Sequence, residues 1–166
     1  MPERQRQLWR ISNHPDLQGK GGLRASARWH SKGHEIVYCA EAPTGALLEA
    51  LVHLEVESVE ALPKRYQLLR IAHPDDVPLE EVPLAALPPD WKRRTLLTRS
   101  IGDAWLAAGR SAALRVPSAV APHAFNVLLN PRLFRGTGVR VTARNRYPFD
   151  TRLFKVVEDA GARRRR

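Results

Sequence analysis

The stretch Ala27 to Glu49, ARWHSKGHEIVYCAEAPTGALLE, decides the reading of this chain. It takes on three characters in succession within 23 residues. ARWHSKGH is polar and broken by Gly33, as a loop is. Glu35 to Ala40 holds Ile36, Val37, Tyr38 and Cys39, a compact β-prone run. After Pro43 and Thr44, the residues Ala46, Leu47, Ala50, Leu51 and Leu54 recur at helical spacing. Thr44 is the expected cap of that helix, with Pro43 just ahead of it. A loop, a strand and a helix in direct succession thus carry a guanidinium, a phenol and a carboxylate: Arg28, Tyr38 and Glu49.

Further strands are expected at Leu8 to Ile11, Tyr66 to Ala72, Ser111 to Val116, Ala124 to Leu129, Val139 to Ala143 and Arg152 to Val157. Leu96 to Gly109 reads as a second helix, with Gly109 as its stop. The proline- and acid-rich stretch Pro74 to Pro89 reads as a loop with a short helical piece, suited to a lid or to an excursion over the surface. No repeat or low-complexity linker divides the sequence. The expectation is one α+β domain over residues 1–162, with short mixed strands and flanking helices, followed by a solvated tail, Arg163 to Arg166.

Composition narrows the classes. At 166 residues the chain can bury a real core, and 43% hydrophobic with 27% charged residues is ordinary for a soluble globular protein. A lone cysteine, Cys39, precludes an internal disulfide and suits a reducing cytosol. No apolar run approaches the roughly 20 residues of a membrane span, and the charged start MPERQRQLWR is unlike a secretory signal. The net charge is +10; the four tail arginines account for 4 of it, leaving +6 on the body. Such a balance suits an anionic substrate, nucleic acid or an acidic protein partner. Aromatics at only 7%, without a recognisable RNA-binding motif or zinc finger, weigh against a basic nucleic-acid-binding module.

The motif search removes other chemistries. His30 and His34 are four apart but lack the glutamate of a zincin helix, and one cysteine with scattered histidines does not make a zinc site. No metal is expected. GKGG, Gly19 to Gly22, fits neither a P-loop nor the dinucleotide-fold fingerprint. Ser118 lies in LRVPSAV, outside a nucleophile elbow, where Pro117 favours an extended or turning backbone. Asn126 and Asn130 flank a short apolar run, and Asn130-Pro131 marks a turn.

Each candidate has an ordinary alternative. A helical glutamate usually faces solvent, a strand tyrosine usually joins the core, and Arg28 could be a surface arginine beside a core Trp29. Their company points elsewhere. A planar guanidinium clamps phosphate or carboxylate, a phenol ring can stack on nicotinamide, and a carboxylate can stabilise the cationic ribose formed when a glycosidic bond breaks. A nicotinamide dinucleotide meets all three requirements.

The ordered series Leu8-Trp9-Arg10-Ile11, Arg28-Trp29-His30, Gly33, Tyr38, Glu41, Ala46 to Glu49, Arg115-Val116-Pro117-Ser118 and Asn126 to Pro131 resembles the RES-domain toxins of RES–Xre toxin–antitoxin pairs. The likeness covers roughly residues 8 to 135. Two positions depart from the family's pattern: Ser26-Ala27 stands for a glycine pair, and His30 for an asparagine. The resemblance implies a fold similar to ADP-ribosyltransferases and an enzyme, an NAD glycohydrolase or NAD phosphorylase, that depletes NAD as its substrate without a cofactor. It also implies an Xre-type antitoxin partner. By the same resemblance Arg28, Tyr38, Glu49 and Ser118 form the catalytic set, while Arg10, Trp29, His30 and Asn126 line the substrate. Transfer of ADP-ribose to a protein is the alternative activity. Self-association is compatible with the sequence, which leaves stoichiometry open.

Overall fold

The computed structural model describes residues 4–54 and 64–153. The tail Arg163 to Arg166 lies outside the described residues. Seven strands form one sheet: β1 (Gln5–Ser12), β2 (Val37–Ala40), β3 (Gln67–Pro74), β4 (Leu79–Glu81), β5 (Ala113–Pro117), β6 (Phe125–Leu129) and β7 (Arg140–Arg146). Their spatial order is β4-β5-β6-β2-β1-β3-β7. Only the β4–β5 pair is parallel, so the sheet is mixed. Two helices flank it, α1 (Pro43–His53) and α2 (Thr95–Ala108). The chain is a single α+β domain.

Strand alternation divides the apolar residues between two cores. On one face Leu8, Val37, Cys39, Leu69, Ile71, Ala113, Val127 and Leu129 pack with Val77, Phe134 and Val139. On the other, Leu114, Val116 and Leu128 pack with Trp29, Ile36, Trp91 and Trp105. The second face carries the chemistry. Tyr38 lies opposite Leu128, which lies opposite Leu114. Two residues along, Ala40 pairs with Asn126 and Asn126 with Val116. Tyr38 and Asn126 therefore occupy neighbouring rows of the same face.

Several expectations need correcting. Pro43 occupies the first turn of α1 and Ala42 is its N-cap, without a side-chain cap; Thr44 does not serve. Proline suits that position because its missing N–H would find no helical acceptor there. The stretch from Pro74 to Pro89 holds the expected short helical piece, Leu84–Ala86, but is not otherwise a loop. It contributes edge strand β4, and Val77, Val82 and Leu87 are buried, because its apolar residues alternate with the acids toward the core. Arg152 and Leu153 are helical rather than extended, and residues 154–157 lie outside the described part. α2 ends as expected, with Gly109 at φ 60°, a left-handed position that glycine adopts without steric cost.

Candidate active site

Glu49 is positioned by a close approach of helix to sheet. A Cβ on Gly45 would lie 3.2 Å from the Ala40 side chain, so two small residues let the start of α1 settle against β2. Glu49 follows Gly45 by four residues and so lies on the same helix face. It reaches Asn126 on β6: Asn126 Nδ2 donates to Glu49 Oε1 at 2.7 Å. Ser118, at the end of β5, donates its Oγ–H to the same oxygen at 3.0 Å. The Ser118 Oγ also accepts the backbone N–H groups of Val120 and Ala121, at 3.2 and 3.1 Å, which fixes the hydroxyl's position. The ends of the paired strands β5 and β6, both far from α1 in sequence, thus converge on one carboxylate oxygen.

The loop that carries Arg28 is clamped by one turn of α2. Thr98 Oγ1 donates to the Arg28 carbonyl at 2.6 Å, and Arg99 Nε donates to the Ala27 carbonyl at 2.7 Å. Asp103 accepts the Ser31 N–H at 2.8 Å and the Ser31 hydroxyl at 2.6 Å. Burial alone would raise the Asp103 carboxyl, but these Ser31 bonds outweigh it and hold the group below its usual range. At Gly102 a Cβ would fall inside contact distance of the Trp29 carbonyl, so only glycine lets helix and loop meet. The half-exposed Arg28 donates through one terminal nitrogen to the Lys92 carbonyl at 2.8 Å, with its guanidinium carbon 5.9 Å from the Trp91 ring centre.

Tyr38 is tied down at its hydroxyl. The Trp29 N–H donates to it at 3.2 Å, and His30 Nδ1 lies 2.8 Å away. His30 Nε2 lies 3.0 Å from the Ala25 carbonyl, which can only accept, so Nε2 carries the proton. In a neutral imidazole Nδ1 is then the acceptor, and the Tyr38 hydroxyl donates to it. Burial lowers the His30 pKa, which favours that neutral form, and burial raises the Tyr38 pKa, which keeps the phenol protonated.

Arg28, Tyr38, Glu49 and Asn126 line one cleft of about 450 Å³, together with Ala27, Val52, His53, Thr95, Arg99 and Val120. A smaller adjoining hollow of about 170 Å³ shares Tyr38, Glu49, His53 and Asn126 and adds Trp9 and Arg10. Of the candidates from sequence, Arg28, Tyr38, Glu49 and Asn126 meet here, and Ser118 reaches the cleft only through its bond to Glu49. Asn126 acts through Glu49 in this geometry. Trp29 and His30 are nearly buried, at 1% and 3% exposure; Trp29 borders this cleft, and His30 does not. Trp29 packs against Trp91, with centroids 5.9 Å apart, and His30 anchors Tyr38 through its hydroxyl. Arg10 donates to the Tyr38 carbonyl at 3.0 Å, at the edge of the cleft. Sequence reasoning missed Arg99, His53 and Thr95. Each lies on a helix face whose aim is fixed only by packing. Among the described residues no cluster of three or more His, Cys, Asp or Glu could hold a metal ion. No described helix is long and apolar enough to cross a membrane.

Residues 7–150 match the family model described as the RES domain. The chain belongs to the RES domain family. This RES domain is 44% identical over 147 residues to the Toxin Res of Pseudomonas putida (strain KT2440), covering 89% of the chain and 99% of that protein. It is 31% identical over 159 residues to the Prs ADP-ribosylating toxin of Sphingobium sp. (strain YBL2), covering 89% and 96%. Its fold is similar to that of a chain in the crystal structure of the M. tuberculosis MbcT-MbcA toxin-antitoxin complex. There the TM-score is 0.67 at 16% identity, covering 92% of this chain and 88% of that one.

Proposed function

We propose that this RES domain is the toxin of a toxin–antitoxin pair and cleaves the nicotinamide–ribose bond of NAD. The observation that carries the reading is Glu49, fixed through one oxygen by Ser118 and Asn126 in a cleft also lined by Arg28 and Tyr38. The relatives' names support the toxin role, since three of them are called Toxin Res.

The chemistry follows from where charge develops. As the C–N bond breaks, its electron pair passes to the nicotinamide nitrogen and neutralises the pyridinium. The ribose carbon is left oxocarbenium-like. The Glu49 carboxylate stabilises that cation, and because its donors are already in place it needs little reorganisation. Arg28 takes the anionic phosphates, with one end of its fork anchored on Lys92 and the rest available. The Tyr38 ring, immobilised by its hydroxyl, forms a flat wall for the nicotinamide. An acceptor oxygen, from water or inorganic phosphate, then bonds to the ribose carbon and loses its proton.

The test is incubation of purified protein with NAD, with and without phosphate, and product analysis by mass. Free nicotinamide with ADP-ribose or its 1″-phosphate is the expected result, and intact NAD overturns the reading. A second reading, transfer of ADP-ribose to a protein, is favoured by the relative named Prs ADP-ribosylating toxin. Label from NAD on a macromolecule would select it. The antitoxin is proposed to be of Xre type and to present acidic groups to the cationic cleft, so its association should weaken with salt.

A further inference from the structure

The corner between β2 and α1 is held from behind the sheet. Only Glu41 and Ala42 separate the end of β2 from the start of α1, and α1 begins without a side-chain cap. The Glu41 N–H donates to the Phe125 carbonyl on β6 at 3.3 Å. Its carboxylate takes Arg115 of β5 in two-point fashion: Nε donates to Oε1 at 2.6 Å and one terminal nitrogen to Oε2 at 3.1 Å. The other terminal nitrogen donates to Glu81 of β4 at 2.9 Å. The Arg115 guanidinium carbon lies 3.4 Å from the centre of the Phe125 ring. A lone surface ion pair contributes little, but a two-point pair stacked on an aromatic ring fixes the geometry of both partners.

Strand alternation puts this network on the far side of the sheet from Glu49. Asn126 reaches Glu49, so its neighbours Phe125 and Val127 point the other way, and Arg115 pairs with Val127. Arg115 lines neither the cleft of about 450 Å³ nor the hollow beside it. The same two strands nevertheless grip the helix twice. Ser118 follows Arg115 by three residues, and Asn126 follows Phe125 directly. Behind the sheet β5 and β6 hold Glu41; in front they hold Glu49, about two helical turns further on. We propose that Arg115 is a positioning residue for Glu49: its two-point hold on Glu41 fixes where α1 leaves the sheet, and with that the reach of Glu49 to Ser118 and Asn126. The consequence for catalysis rests on the reading above, in which Glu49 faces the ribose of NAD; the consequence for the Glu49–Asn126 bond does not. A misplacement of about 1 Å at a reacting group can cost about 10²-fold in rate, so a small rotation at Glu41 registers in kcat.

The experiment compares three mild variants of the intact chain. Arg115→Lys keeps the charge and loses the two-point hold, and Glu41→Gln keeps one acceptor oxygen. Glu81→Gln weakens the other carboxylate partner of the same guanidinium and controls for stability alone. Two readouts are taken on folded protein, well below each melting temperature. The first is the side-chain amide NMR signal of Asn126, assigned by its absence in Asn126→Ala, which reports the bond to Glu49 whether or not NAD is cleaved. It shifts in Arg115→Lys and Glu41→Gln and stays in place in Glu81→Gln. The second is NAD cleavage: kcat falls about 10-fold in the first two variants, with KM within about twofold, and holds in Glu81→Gln. An Asn126 signal unmoved in Arg115→Lys and Glu41→Gln, or moved as far in Glu81→Gln, overturns the proposal. So does a wild-type kcat in those two variants of an enzyme that cleaves NAD. A wild type that leaves NAD intact overturns the reading of function instead, and the Asn126 signal then decides the positioning role alone.

Discussion

Asn126 Nδ2 donates to Glu49 Oε1 at 2.7 Å, and that oxygen also accepts the Ser118 hydroxyl at 3.0 Å. The second oxygen, Oε2, has no hydrogen-bond partner among the described residues. One oxygen thus fixes the group, and the other is the one the proposed mechanism turns to the ribose.

Glu49→Gln keeps an acceptor for both donors but removes the charge. NAD cleavage should fall by about 10²–10³-fold, the range for losing one preorganised electrostatic group. Thermal melting should change little. Nicotinamide release followed by chromatography checks this, and a rate near wild type would remove Glu49 from the mechanism.

Ser118→Ala and Asn126→Ala act through the same oxygen. Each should lower kcat about 10-fold, equivalent to about 1.4 kcal/mol, with KM little changed. Their effects should be strongly non-additive, because the surviving donor still orients the carboxylate. Additive losses in the double mutant would show that the two residues do not share a task.

Arg28→Lys retains a cation but loses the planar fork that bonds the Lys92 carbonyl and that the proposed mechanism uses for the substrate phosphates. KM for NAD should rise about 10-fold or more, with a smaller change in kcat. Steady-state kinetics at fixed ionic strength separates the two constants.

Stability should fall in mild acid. Burial lowers the pKa of both His30 and His73 below the ordinary value of 6.5. Above pH 6.5 native and unfolded states both hold these rings neutral, and their contribution is complete. Below it the unfolded chain takes up protons that the native state resists, until the lowered native pKa is reached. Each histidine then costs up to about 1.4 kcal/mol per pH unit within that window. His73 is fully buried, and neither ring nitrogen has a partner in good hydrogen-bond geometry. His73→Leu should therefore raise the melting temperature and flatten its fall between pH 6.5 and 5. A melting series that is flat in the wild type would contradict the assignment.

Gly102→Ala should be disruptive although alanine favours helix. Its Cβ would collide with the Trp29 carbonyl, and overpacking of this kind costs about 1–3 kcal/mol. The loop bearing Arg28 would shift with it. Chemical denaturation and NAD turnover should both register the change.

Much of the fold was legible because strand and helix periodicities are local. The run through Tyr38, the helix through Glu49 and the Gly109 stop needed only neighbouring residues. The edge strand β4 was not legible as one, because its pairing with β5 joins residues 34 apart and its acids mask the buried Val77 and Val82. Thr44 looked like a cap because its hydroxyl suits the role, but Pro43 had already taken the first helical position.

The sequence by itself determined which groups are present, their order, and the loop, strand and helix that carry Arg28, Tyr38 and Glu49. It also carried the family resemblance, which depends on motif order alone. Tertiary structure decided what those groups touch. Ser118 and Asn126 are 69 and 77 residues from Glu49, yet share its oxygen. Trp29 and His30, close to Arg28 in sequence, are nearly buried, one packed on Trp91 and the other holding the Tyr38 hydroxyl. The reason is physical: periodicity fixes which way a side chain leaves its own element, whereas hydrogen-bond partners depend on how separate elements pack, and that is set by close approaches such as Gly45 on Ala40 and Gly102 on Trp29.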